Sequence, residues 1–179
     1  MKELALNILD LAQNSISANS SVIELEVIQD AVEDLLKITL ADNGCGMTEE
    51  QVKSVTDPFY TTRTTRKVGL GVPFFKMAAE MAGGSFSIES ELGVGTRLTA
   101  TFILSNVDRM PIGDMEGVVR DLIYMNPNID FTYKRCIDSK ELFLDTRELK
   151  KILGDVPLNS PEVFDWISEY LKEQLESIK

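Results

Sequence analysis

The chain has 179 residues, 44% of them hydrophobic, with 29 acidic against 18 basic side chains and no histidine, for a net charge of -11. That length and apolar content support one good core and a small second one, while the acid excess disfavours general binding to nucleic acid or to anionic membranes, whose phosphates demand a basic face. The two cysteines lie far apart without metal-type spacing, no apolar run reaches membrane-spanning length, and Met1-Lys2-Glu3 lacks a signal peptide's apolar core. Zinc is therefore disfavoured and a cytoplasmic protein is expected.

The first predicted element is a helix over 3–18, with Leu4, Ile8, Leu11, Ala12 and Ile16 at helical spacing. A second stripe, Glu3, Asn7, Asp10 and Asn14, stacks on another face, as functional residues or simply as a solvated surface. Apolar runs predict strands over 22–28 and 35–41. The second strand runs into Asp42-Asn43-Gly44-Cys45-Gly46-Met47. Asp-Asn-Gly spells a tight turn. An acid at a strand tip followed by two nearby glycines also builds a floor on which a flat ligand can approach the backbone. Cys45 reads as a small neutral filler or as a redox switch.

Thr48-Glu49-Glu50-Gln51 has the capping-box pattern that opens a short helix. Then comes Asp57-Pro58-Phe59-Tyr60-Thr61-Thr62-Arg63, and Arg63, Arg66 and Lys67 form the densest basic cluster of an acidic chain. Neutralising a polyphosphate would explain that cluster, and so would an incidental charge on a solvated, hydroxyl-rich loop. Gly69-Leu70-Gly71-Val72 leads into a helix over 72–81 with Pro73 in its first turn and Gly83-Gly84 beyond its end. The amides of Gly69 and Gly71 at that helix start would attract phosphate. Alternating strands over 85–90 and 96–104 follow, joined through Glu91-Leu92-Gly93-Val94-Gly95. The sum is an α+β fold, a two-layer sandwich of a mainly antiparallel sheet with helices gathered on one face.

Residues 106–179 read as a linker over 110–114, a helix over 115–125 broken at Pro127-Asn128, and a strand in which Ile129, Phe131 and Tyr133 alternate. Asp138-Ser139 turns the chain into a second strand at Leu142-Phe143-Leu144. Asp145-Thr146-Arg147-Glu148 caps a short helix ending at Gly154, and Ser160-Pro161-Glu162 opens a last helix. Its apolar stripe is Val163, Phe164, Ile167, Tyr170, Leu171 and Leu175, with Trp166 beside it. This α/β extension either folds back on residues 1–105 as an extra layer or docks a partner through its aromatic-rich helix.

Taken together and in this order, the Asn14 helix, the Asp42 loop, the Gly69-Leu70-Gly71 turn and Gly93-Val94-Gly95-Thr96 resemble the GHKL family over residues 1–105. That family comprises the nucleotide-binding domains of gyrase B, the heat-shock chaperone, histidine kinases and mismatch-repair ATPases. The resemblance implies the Bergerat ATP-binding fold and ATP with Mg2+ as ligands. It implies that Asn14 ligates magnesium through its side-chain oxygen, that Asp42 accepts a hydrogen bond from the exocyclic amine of adenine, and that Thr96 helps hold a water near the ring. Gly44 and Gly46 let the chain turn under the base, while Phe59, Thr61, Arg63, Lys67, Gly69, Leu70 and Gly71 belong to the lid and the phosphate-facing turn. Asp10 falls where hydrolysing members carry a glutamate that activates water, one methylene longer. Lys67 stands where kinases commonly have the first glycine of Gly-x-Gly-x-Gly.

With no histidine and no helical hairpin ahead of its first helix, the chain is not expected to autophosphorylate on histidine. Three activities fit the resemblance. One is phosphotransfer to a serine of a regulatory partner protein, as in the anti-sigma-factor kinases; another is weak ATP hydrolysis driving a switch; the last is nucleotide sensing without turnover.

Overall fold

The computed structural model describes residues 3–57 and 70–179. Helix α1 (Leu4–Ser17) leads into β1 (Val22–Asp30) and β2 (Leu35–Asp42), and α2 (Glu49–Thr56) follows the loop after β2. Then come α3 (Gly71–Met81), β3 (Phe86–Glu91), β4 (Gly95–Ile103) and α4 (Met115–Met125). The chain closes with β5 (Asp130–Ile137), β6 (Lys140–Asp145), α5 (Thr146–Leu153) and α6 (Pro161–Ile178). The capping box expected at Thr48 is present in both halves, the Thr48 side chain accepting from Gln51 N–H and the Gln51 side chain from Thr48 N–H.

Among the described residues the strands share one six-stranded sheet in the order β3-β4-β2-β1-β5-β6. Every neighbouring pair is antiparallel except β1 and β5, which run parallel from Val22 opposite Asp130 to Gln29 opposite Ile137. Period-two alternation sets the faces. Ile23, Leu25, Val27, Leu36, Ile38, Leu40, Ala100, Phe102, Phe131, Tyr133, Leu142 and Leu144 are buried. The intervening Glu24, Lys37, Arg97 and Lys134 point to the open face. The covered side receives Leu4, Ile8 and Leu11 of α1, Phe75 and Ala79 of α3, Val119, Leu122 and Ile123 of α4, and Val163, Ile167 and Leu171 of α6, all in one apolar cluster.

Two points differ from the sequence reading. Residues after 106 lengthen the existing sheet by two strands and its helical cover by α4 and α6, instead of stacking a further layer. Asn7 does not join the solvated stripe of α1: it is 1% exposed, with its Oδ1 unpaired among the described residues.

A buried polar cluster fastens the added strands. Glu116 of α4 accepts through Oε1 from Tyr133 Oη at 2.8 Å and from Arg135 Nη1 at 2.7 Å. Arg135 Nη2 donates to Oε1 of Gln29 on β1 at 3.0 Å.

Candidate functional site

The site grows from the C-terminal end of β2, where Asp42 closes the strand half-buried. Both of its carboxylate oxygens are already anchored. Oδ2 accepts from Ser15 Oγ at 2.6 Å, and Oδ1 accepts from Gly44 N–H at 2.9 Å. An ionised carboxylate has about four acceptor positions, so each oxygen retains capacity for a further donor while its orientation is fixed.

The loop after Asp42 is sewn to three elements. Asn43 Oδ1 accepts from Ser21 N–H and Val22 N–H, each at 2.9 Å. Cys45 N–H donates to Ala18 O at 2.9 Å, and Cys45 O accepts from Gly93 N–H at 2.8 Å. Gly46 sits at φ 71, where a Cβ would lie 1.9 Å from Glu91 O. Gly95 sits at φ 140, where a Cβ would lie 2.0 Å from the Asp42 carbonyl. Only glycine lets the β3–β4 connection and the Asp42 loop touch backbone to backbone. Cys45 is exposed and fills no interior space, unlike the small-filler reading.

Thr96 stands directly across the sheet from Asp42. Its Oγ1 lies 2.8 Å from Ser90 Oγ, which also accepts from Met47 N–H at 2.8 Å. A carboxylate, a hydroxyl pair and a glycine floor thus converge at one end of the sheet.

The α1 rim supplies the other end. Asp10 and Asn14 are exposed, one turn apart, and the Asn14 side chain makes no hydrogen bond to a described residue. Gly71 opens α3 against Asp10, and a Cβ added to Gly71 would meet the Asp10 Cβ at 3.4 Å. The N-terminal amides of α3, with Leu70 as the preceding exposed residue, therefore lie beside the Asp10 face. Phe59, Thr61, Arg63, Lys67 and Gly69 lie outside the described residues.

Three contributors escaped the sequence reading: Ser15, Asn43 as a loop tie, and Ser90. Ser15 carried a signal, since it is a polar residue at the buried helical spacing of Leu11 and Ala12 and immediately follows Asn14.

Comparisons with known proteins bear on the family and the fold. The family described as histidine kinase-, DNA gyrase B-, and HSP90-like ATPase matches residues 1–106. Sporulation kinase E of Bacillus subtilis (strain 168) is 34% identical over 96 residues, which are 54% of this chain and 13% of that protein. Sensor protein SrrB of Staphylococcus aureus (strain NCTC 8325 / PS 47) is 34% identical over 109 residues, 58% of this chain and 18% of that one. The chain thus spans less than a fifth of the length of these relatives. Among solved structures, the crystal structure of the N terminal domain of a DNA repair protein superposes with a TM-score of 0.53 at 16% identity, covering 81% of this chain and 53% of that one. That likeness of fold extends past residue 106.

Proposed function

Because the chain belongs to the histidine kinase-, DNA gyrase B-, and HSP90-like ATPase family and carries its ATP-binding domain, we propose that Asp42 reads the adenine ring, that Asn14 holds the magnesium ion, and that Asp10 serves a phosphoryl transfer to a partner protein. The observation that carries this reading is the Asp42 carboxylate, fixed by Ser15 and Gly44 yet with acceptor positions free on both oxygens. An acceptor there suits the amine of adenine and opposes the carbonyl of guanine, so ATP is preferred over GTP.

The residues also fit the ion. Magnesium favours oxygen donors and keeps several waters, so a single uncommitted amide oxygen suffices on the protein side. When bound, it would neutralise phosphate charge. The remaining phosphate charge falls to the α3 amides and to Arg63 and Lys67 of the sequence reading.

Asp10 is exposed on that same rim, where a carboxylate can take a proton from an attacking hydroxyl. With no histidine among the 179 residues, the acceptor is not a histidine of this stretch, and a serine of a regulatory partner is the acceptor we favour. The likeness to Sporulation kinase E supports transfer over simple hydrolysis.

The test follows the γ-phosphate of labelled ATP with magnesium, using the protein alone and with extract of its own cells. Asp10→Asn is expected to retain ATP binding while turnover falls by roughly 10²–10⁴-fold, the usual worth of a positioned base. Label on a protein, lost in the variant, supports the kinase reading; free phosphate lost in the variant makes the protein a hydrolase. Turnover that survives the substitution removes Asp10 from the chemistry.

A further inference from the structure

We propose that the outer face of α6, with the adjoining edge strand β6, docks an arginine-bearing basic segment of a partner protein, whose guanidinium lies over the Trp166–Tyr170 pair inside a rim of carboxylates. This surface lies outside the family-matched segment and stands apart from the nucleotide reading.

Helix α6 buries Val163, Ile167, Leu171 and Ile178. Its outer flank leaves Trp166 49% exposed, stacked on Tyr170 with ring centroids 5.0 Å apart and planes 12° from parallel. Tyr170 Oη donates to Phe143 O of β6 at 3.1 Å, which ties this flank of the helix to the sheet edge. Helical spacing sets Glu162, Glu169 and Glu173 on the Trp166 face, all exposed. None of the three forms an ion pair among the described residues.

The same helix shows how its aromatics are satisfied elsewhere. On its opposite flank Phe164 is covered by the Arg120 guanidinium, 4.7 Å from the ring centroid. Among the described residues no cation covers Trp166 or Tyr170. A stacked, half-exposed indole ringed by carboxylates is complementary to a guanidinium, which binds aromatic faces and carboxylates at once. Other occupants match less well. Nucleic acid would set phosphates against the rim, and two copies meeting on this face would oppose like charges. An added strand would find the outward carbonyl of Phe143 already taken by Tyr170.

Trp166 is the only tryptophan in the chain, so its emission reports on this surface alone. The full chain is titrated with a peptide of alternating arginine and alanine, and with a glutamate–alanine peptide of equal length. The arginine peptide is expected to shift Trp166 emission saturably, with affinity falling as salt rises, and the glutamate peptide to leave it unchanged. In calorimetry, Trp166→Ala weakens binding roughly five- to thirtyfold, Glu169→Gln with Glu173→Gln also weakens it, and Trp166→Phe, which keeps a ring, retains most of it. Unchanged emission, equal affinity in Trp166→Ala, or self-association that Trp166→Ala abolishes would overturn the assignment.

Discussion

Asp42→Asn is expected to weaken ATP binding by roughly ten- to hundredfold, the equivalent of about 1.5–3 kcal/mol for a lost hydrogen bond to a charged acceptor. The wild-type carboxylate already takes Ser15 Oγ on one oxygen and Gly44 N–H on the other. An asparagine has a single oxygen. If it serves Gly44, its NH₂ turns toward Ser15 and the base; if it serves the base, the NH₂ meets the Gly44 N–H donor to donor. Either arrangement leaves one donor without an acceptor. Inosine triphosphate gives an internal control, because its ring carbonyl accepts where adenine donates. Calorimetry of both nucleotides should therefore find ATP weakened while inosine triphosphate is spared or improved. Unaltered affinity together with unaltered preference would mean that another group reads the base, whatever the family.

The second large effect concerns stability. Glu116→Ala should destabilise the fold by about 3–5 kcal/mol, because it leaves the Arg135 guanidinium buried without its counter-ion. The Glu116 and Arg135 side chains are only 10% and 8% exposed, and their bond is 2.7 Å long. Arg135 Nε already lacks a partner among the described residues, so the guanidinium has little to fall back on. For a chain of this size the melting temperature should fall by roughly 6–20 °C. Replacing both partners by apolar residues, Glu116→Leu with Arg135→Met, should cost less than the sum of the two single changes, since no orphaned charge remains and only the neutral Tyr133 hydroxyl loses its acceptor. Urea midpoints of the two single variants and the double variant decide it. Additive losses would show that the pair is not coupled.

The same cluster sets an alkaline limit. Burial, reinforced by the Glu116 charge and opposed by Arg135, raises the Tyr133 hydroxyl well above its ordinary 10.0. A folded value above the unfolded one favours the neutral phenol in the native state. Its contribution is therefore complete below about 10 and disappears as pH climbs toward the folded value. Tyr133→Phe should flatten the fall in melting temperature above pH 10; an unchanged slope would assign it to other groups.

Much of this architecture was legible because local periodicity and tertiary burial agree. The stripe of α1, the Thr48 cap and the alternation in β5 each depend on a few neighbouring residues, and each recurs in the fold close to its expected limits. Asp42 was legible for the same reason, being a strand tip with glycines beside it. What stayed hidden depends on partners distant in sequence. The hydroxyl of Ser15 gains its role only when β2 brings Asp42 to it, and the buried Asn7 reads as surface until α1 is seated. The parallel alignment of β1 with β5 is invisible to any window, since no turn between the two strands sets their register.

That alignment has a consequence for how the protein is made. Val22 pairs with Asp130 and Gln29 with Ile137, so one flank of β1 has no hydrogen-bonding partner until the chain has been synthesised past β5. A nascent polypeptide holding only the ATP-binding stretch would present a bare, apolar strand edge from the middle of its sheet, the kind of edge that recruits other chains. The segment after residue 106, about two fifths of the sequence, is thus an intramolecular guardian of the stretch before it, and a fragment cut after residue 106 should need a chaperone or a solubilising fusion where the whole chain does not.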